Sequence, residues 1–324
     1  MRRILISALL ILGSQATHAA RDVAPTVVTE LATLATPARA GSVVFAKTGR
    51  LAAAECADGK LRIWSLPDGR LQREIDLGPR QVDNLALTDD GSRVAVADHD
   101  GLYTIWDTTT GTQLVQQRLT FYTAAMTFSH DGRTLAIAPS NDPVQLIDAV
   151  SGKQRLGLLG PVGGTTAIAF SRDDRRLATS DADTVVRVYD ARSGALVAKN
   201  TDFLLEPLAI DFSADGRQVL AAGADNIVDV IDAKSGHTSR KSVKEVDPIV
   251  YLEASRDGHL LATGLMHAAN MTSPAPIVIS EMASGRRVQE WLPQSRVHGG
   301  TWTTDGRLIV ATAAEKALHI WRVR

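Results

Sequence analysis

The sequence predicts an all-β fold in which one four-stranded antiparallel unit is repeated seven times. Three observations carry this prediction: an Asp-Gly turn recurs about every 42 residues, apolar residues alternate before each turn, and an aliphatic residue stands fourteen positions after it. The turn positions are Gly49, Gly91, Gly132, Asp174, Gly216, Gly258 and Gly306. A period of this length is typical of folds whose units bury their faces against neighbouring copies.

The first strand of each unit precedes the turn. Four residues before the turn position stand Phe45, Leu87, Phe128, Phe170, Phe212, Ala254 and Trp302. Six residues before it stand Val43, Leu85, Met126, Ile168, Ile210, Leu252 and Gly300. Because side chains alternate between the two faces of a strand, this spacing predicts a strand with one buried face.

Three further strands follow the turn. A short apolar stretch, such as residues 135–138, predicts the second strand, and the aliphatic column marks the third. That column contains Ile63, Ile105, Leu146, Val188, Val230 and Ile320, and Ile279 takes the place in the sixth copy after an insertion. A glycine hairpin then leads into a more polar fourth strand, as expected of an outer edge. The hairpin glycines are Gly69, Gly111, Gly152, Gly194, Gly236 and Gly285.

The seventh unit ends after its third strand, close to Trp321. Residues Pro25 to Ala35 lie just upstream of the first unit, where a fourth strand would lie in any other copy. Pairing this segment with the third strand of the last unit would satisfy the backbone groups of two open sheet edges. We therefore predict a seven-bladed β-propeller closed into a ring by its N-terminal strand.

On these residues the chain resembles the WD-repeat β-propellers over roughly residues 25–324. Trp64, Trp106-Asp107, Tyr189-Asp190 and Trp321 occupy the Trp-Asp position, and a Ser/Thr-Gly turn follows it. Ile147, Ile231 and Ser280 replace the aromatic residue in the other repeats, and no Gly-His dipeptide precedes an inner strand. The resemblance implies a divergent member of bacterial, exported type, with a protein or peptide partner on one face of the ring.

The N-terminus predicts export. Arg2 and Arg3 precede an apolar run from residue 4 to residue 13, and small residues follow, with cleavage expected after Ala19 or, as an alternative, after Ala16. The run is too short to span a membrane, which leaves an uncleaved interfacial anchor as the alternative to cleavage. We expect residues 1–19 to be a signal peptide, residues 20–324 to form one propeller domain, and the mature protein to be periplasmic or secreted.

Composition excludes some classes of partner. The chain has 35 Lys and Arg residues against 36 Asp and Glu, a net charge of −1 that becomes −3 without Arg2 and Arg3. No basic stripe is available to neutralise phosphates, so we expect no nucleic acid partner. Cys56 is the single cysteine and cannot form an internal disulfide.

No catalytic motif is visible. The sequence has no Gly-x-Ser-x-Gly elbow, no His-Glu-x-x-His and no phosphate-binding loop. We therefore expect a non-catalytic binding or assembly scaffold with no catalytic residues and no cofactor. A propeller enzyme, such as a sugar-lactone hydrolase, is the alternative, and convergent titratable residues in a central pocket would distinguish it.

The sixth repeat contains an insertion between residues 266 and 276. Long loops on a rigid scaffold often carry function, so this loop is a candidate for partner binding. Met266, His267 and Met271 could also bind copper, which makes a metal-binding periplasmic propeller a further alternative, although packing of the loop is favoured and no metal site is assigned. The residues expected to gather on the binding face are Arg80, Phe121, Tyr122, Phe203, Met266, His267, Met271 and Arg296.

Overall fold

The structure, a computed structural model, describes residues 28–160, 164–266, 274–314 and 316–323. These residues form seven antiparallel sheets of four strands each. The strands of the first three blades are β2 (Ala40–Phe45), β3 (Leu51–Cys56), β4 (Lys60–Ser65), β5 (Leu71–Asp76); β6 (Val82–Leu87), β7 (Arg93–Asp98), β8 (Leu102–Asp107), β9 (Gln113–Arg118); β10 (Thr123–Phe128), β11 (Thr134–Pro139), β12 (Val144–Asp148) and β13 (Gln154–Leu158).

The remaining blades repeat the same order. Their strands are β14 (Thr165–Phe170), β15 (Arg176–Asp181), β16 (Val186–Asp190), β17 (Leu196–Asn200); β18 (Pro207–Phe212), β19 (Gln218–Gly223), β20 (Ile227–Asp232), β21 (Thr238–Lys244); β22 (Ile249–Ala254), β23 (Leu260–Leu265), β24 (Ile277–Glu281), β25 (Arg287–Trp291); β26 (Val297–Trp302), β27 (Leu308–Ala314) and β28 (Ala317–Val323). Strand β1 (Val28–Ala35) completes the seventh blade. The predicted seven-bladed propeller is confirmed.

The N-terminal strand closes the ring. It pairs antiparallel with β28, from Val28 opposite Val323 to Ala35 opposite Ala317. The sheet order β1-β28-β27-β26 is the order predicted for the last blade. Residues 25–27 of the predicted closing segment lie outside the described residues.

The closing strand is also packed into the core. Leu34 is fully buried, in a cluster that joins Phe45 and Trp64 of blade one to Leu318 of blade seven. The strand therefore contributes apolar contacts to two blades as well as backbone pairing to one.

The predicted turn positions all have a left-handed backbone. The six glycines have φ between 68° and 79°, and Asp174 has φ 57°. An aspartate tolerates this conformation better than most side chains. Asp174 also has a structural role, because its carboxylate accepts the backbone N–H groups of His130 and Asp131 in the preceding blade, at 2.7 and 2.9 Å.

The aliphatic column of the third strands forms the centre of each blade. All seven of its members are buried. Every described regular element is a strand, and no helix in the described ranges is long and apolar enough to cross a membrane.

The packing of β1 generates a stability prediction. Leu34→Ala should lower the free energy of unfolding by about 2–5 kcal/mol, because a fully buried leucine leaves a cavity when truncated. The measurement is chemical denaturation of the purified full chain, followed by tryptophan fluorescence. Thr29→Ala, at an exposed position of the same strand, is the matched control and should change stability by less than about 0.5 kcal/mol. Equal stability of the two variants would contradict the closure.

Candidate functional site

The ring has two chemically different faces. One, the connector face, carries the segments that join the fourth strand of a blade to the first strand of the next, together with the turns between second and third strands. The other, the turn face, carries the turns between first and second strands and between third and fourth strands. Six of the partner-binding residues proposed from the sequence fall within the described residues and belong to segments of the connector face: Arg80, Phe121, Tyr122, Phe203, Met266 and Arg296.

Several of these residues lie along one arc of that face. Arg80, in the connector between blades one and two, has its Nη1 atom 3.8 Å from the buried Asp98 carboxylate. His99, which follows Asp98 in the sequence, stacks on Tyr122 with ring centroids 5.5 Å apart. Phe121 and Tyr122 are both exposed, in the connector between blades two and three.

Other predicted residues lie elsewhere. The side chain of Phe203 is only 5% exposed and packs with Ile210 and Phe212, so it is a core residue. Met266 follows β23 and lines a cavity beside Arg296. His267 and Met271 lie outside the described residues.

Two adjoining cavities form a groove across blades six, seven and one, which we call the seam groove. The first has a volume of about 240 Å³ and the second about 440 Å³, and Arg296, Val297 and His298 line both. The smaller cavity is mainly apolar, and its lining includes Tyr251, Leu265, Met266, Ile277, Val297 and Val310. The larger includes Arg39, Glu55, Cys56, Arg80, Arg296 and His298.

A break in the repeat opens the smaller cavity. Gly300 stands in a column where the other blades have large apolar side chains, and Gly264 also lines the cavity. The neighbouring Gly299 is needed for another reason, because a Cβ there would collide with the Val43 carbonyl oxygen of blade one. Because Gly299 has no side chain, blades seven and one can approach closely. Because Gly300 has none, an apolar cavity remains beside them.

The floor of the larger cavity is a hydrogen-bonded carboxylate. Glu55 accepts the backbone N–H groups of Gly41 and Ser42 at 2.9 and 3.2 Å. Burial raises the pKa of Glu55 above its usual value, although these two bonds oppose the shift. Burial also lowers the pKa of His298, whose Nδ1 lies 2.7 Å from the Gly41 carbonyl oxygen, so His298 is neutral at pH 7 and donates this hydrogen bond.

Three guanidinium groups surround the seam groove. Arg39 and Arg296 are exposed, whereas Arg80 is mostly buried, with Nε and Nη1 making no hydrogen bond within the described residues. Arg39 and Arg296 make no ion pair within the described residues, so two guanidinium groups at the groove can donate hydrogen bonds toward solvent. It can therefore bind a chain segment that presents an apolar side chain beside a carboxylate.

Exposed aliphatic residues in the connectors were missed by the sequence reasoning. These residues are Leu159, Leu204, Leu205, Val246 and Leu292. Leu204 is 90% exposed, and Leu159 is 80% exposed. The sequence could have identified them, because connectors normally contain polar and turn-forming residues. Two adjacent leucines in a connector have no strand to pack against.

A second polar cluster lies inside the ring, near the turn face. Glu253 accepts hydrogen bonds from Tyr251 at 2.5 Å and from Thr301 at 3.1 Å, and it forms an ion pair with Lys47 of blade one. Asp211, in the preceding blade, accepts the backbone N–H groups of Phe212 and Ala254 at 2.8 Å each. Asp211 and Glu253 stand five residues before the turn positions of their blades, and no other blade has an ionisable residue at that position. This difference between the repeats could have identified the two acids from the sequence.

Burial and neighbouring charges shift the pKa values of the groups in this cluster. Burial, followed by the Glu253 charge, raises the pKa of Asp211 to about 6. Burial and the same Glu253 carboxylate raise the pKa of Tyr251 well above its usual value, which keeps the phenol protonated as a donor. Burial lowers the pKa of Lys47, but attraction to Glu253 more than offsets it, so the ammonium remains charged.

The raised pKa of Asp211 generates a pH prediction. Its native pKa of about 6 exceeds the unfolded value of about 3.9, so the wild type loses stability as the pH rises from about 4 to about 7. Asp211→Asn lacks this loss and should gain about 2 kcal/mol relative to wild type over that range. Urea unfolding at several pH values measures the difference.

The control for this experiment is Asp215, whose pKa is shifted in the opposite direction from that of Asp211. Hydrogen bonds from the Arg217 backbone and the Ser213 hydroxyl lower the pKa of Asp215, which contributes stability that is lost as the pH falls. Because this loss falls mainly below about pH 4, the difference in stability between Asp215→Asn and wild type should change little from about pH 4 to about pH 7. A difference between wild type and Asp211→Asn that does not change with pH would contradict the assignment.

Three findings bear on the chemistry of the site and on the family of the chain. Among the described residues, no group of three or more His, Cys, Asp or Glu side chains is arranged to hold a metal ion. The family model for the WD domain, G-beta repeat, matches residues 153–190. No curated protein matches the chain.

The matched segment covers one structural repeat. It contains the fourth strand of blade three, β13, and the first three strands of blade four, from β14 to β16. The same strand pattern recurs in all seven blades, and β1 supplies the strand that completes the last one. The match to one repeat and the seven-bladed ring together support a WD-repeat β-propeller.

Proposed function

We propose that this protein is an exported, non-catalytic scaffold that binds a protein partner on its connector face. WD-repeat propellers are in general protein-interaction scaffolds, and this coarser role follows from the fold. The observation that carries the finer proposal is the concentration of exposed aliphatic and aromatic side chains in the connectors. Exposed apolar groups of this size on one face mark an interaction surface.

The seam groove indicates the chemistry of the partner. An apolar cavity beside Met266 and Val297 adjoins a cavity surrounded by Arg39, Arg80 and Arg296. Arginine is suited to pairing with carboxylates at interfaces, and hydrophobic pockets hold anchor side chains. The best fit is an extended protein segment with an apolar anchor next to acidic residues, while a larger partner surface covers the exposed connectors.

Mutation of the connector face should abolish capture of the partner. Leu204→Asp should reduce the amount of partner recovered by about tenfold or more, because a charge replaces an apolar contact at the interface. The measurement is cross-linking in the native host, followed by affinity purification and quantitative mass spectrometry. Val150→Asp on the turn face, where Val150 is 56% exposed, is the matched control and should leave recovery unchanged.

The groove is tested in the same assay with two variants. Gly300→Leu restores the side chain found in other blades and fills the apolar cavity, while Arg296→Glu reverses one charge. Both should weaken recovery of the same partner, whereas Arg217→Glu, at an 85% exposed position on the turn face, should not. Recovery that is equal for the connector-face and turn-face variants would overturn the proposed surface.

Export is tested separately. The basic start, the apolar run and the small residues near position 19 support removal of a signal peptide. Mass spectrometry of the protein from its host should find an N-terminus at Ala20, or at Thr17 if cleavage follows Ala16. Residues 1–19 retained on protein in the cytoplasmic fraction would contradict export without affecting the binding surface.

A further inference from the structure

The mouth of the central channel on the turn face contains a small, strongly polar cavity. It has a volume of about 210 Å³, and its charged lining comes from residues that directly follow the first strands of several blades. These are Lys47, Asp89, His130, Arg172 and Arg256. Thr304 occupies the same position in blade seven and also lines the cavity. The repeat thus places side chains from six of the seven blades around a common centre.

The carboxylates around this mouth are already occupied. Asp89 accepts a hydrogen bond from His130, with 2.9 Å between Oδ2 and Nδ1. Glu253 is bound by Lys47, Tyr251 and Thr301, and Asp211 by two backbone N–H groups. Within the described part of the chain, none of these carboxylates lies within ion-pair distance of Arg172 or Arg256.

Two guanidinium groups have unused donors. Arg172 reaches past the small Ala214 of blade five and donates from Nη2 to the Ala254 carbonyl oxygen of blade six, at 3.2 Å. Its Nε atom is buried and has no hydrogen-bond partner in the described chain. Arg256 is exposed, and within the described ranges it makes no ion pair and no hydrogen bond. A buried donor without an acceptor is costly, and an incoming anion would satisfy it.

We propose that this mouth is a binding site for a small tetrahedral oxyanion, either free phosphate or the phosphoryl group of a small ester. Arg172 and Arg256 supply forked donors from blades four and six. Lys47 adds an ammonium from blade one, since one hydrogen bond to Glu253 leaves two of its protons available. Donors converging from several blades suit a tetrahedral anion better than a planar carboxylate.

The size of the cavity limits the ligand. A volume of about 210 Å³ is below the range of about 300–1,000 Å³ that is usual for drug-sized ligands. The site therefore fits a phosphate with a short organic group and excludes a folded partner from its interior. It lies on the face opposite the seam groove, so its occupancy does not depend on the protein-binding role proposed above.

Isothermal titration calorimetry of the full mature chain with inorganic phosphate tests the site. Saturable binding is expected in the millimolar range or tighter. Arg256→Gln should weaken it about tenfold or more, and Arg172→Gln should do the same. Arg217→Gln, a turn-face arginine whose Nε lies 3.8 Å from Asp215, is the matched control and should bind as wild type. Circular dichroism melting verifies that each variant is folded.

A second titration with glycerol phosphate distinguishes the two sources of the phosphoryl group. Tighter binding of the ester assigns the site to a small phosphate ester, and equal or weaker binding assigns it to free phosphate. If Arg172→Gln fails to fold, Arg256→Gln decides alone, since that side chain is exposed. Absence of saturable binding, or equal binding by wild type and Arg256→Gln, would overturn the proposal.

Discussion

The pairing of β1 with β28 is the interaction on which the rest of this ring depends. Without it, blade seven would have three strands, and a row of backbone donors and acceptors would face solvent. The same junction positions the seam groove, because Arg39 lies in the link between β1 and β2 and Val297 to Gly300 begin the first strand of blade seven. The strand pairing that closes the ring therefore also determines the geometry of the candidate binding surface.

The residues that stabilise the fold and the residues that can contact a ligand occupy different positions in the repeat. Buried aliphatic columns and left-handed turns recur in every blade, and they hold the strands in register. Positions at the ends of the first strand carry no such constraint, so one end presents arginines and an apolar hollow, and the other presents Lys47, Arg172 and Arg256 around a narrow mouth. Two chemically distinct surfaces result from one repeated unit.

Much of the fold could be predicted from sequence, because strand burial and turn conformation are local and recur with the period. The four strands of each blade, the closing segment and the aspartate at position 174 all follow from spacing. The sites were less predictable. Arg80, Met266 and Arg296 do lie at the groove, but the burial of Phe203 depends on how blades four and five pack, which spacing does not describe. The ion pair between Lys47 and Glu253 depends on a side chain reaching past a whole blade.

The separation of the closing partners along the chain has a consequence for how the protein is made. Glu30 and His319 interact although they are 289 positions apart in the sequence. A growing polypeptide emerges N-terminus first, so β1 leaves the ribosome long before β28 exists. Until then the segment that completes the ring is an unpaired strand with an apolar residue at position 34, which is the kind of edge that associates with other chains. Protection of this nascent segment is thus a requirement of the topology itself, whichever compartment the finished ring occupies.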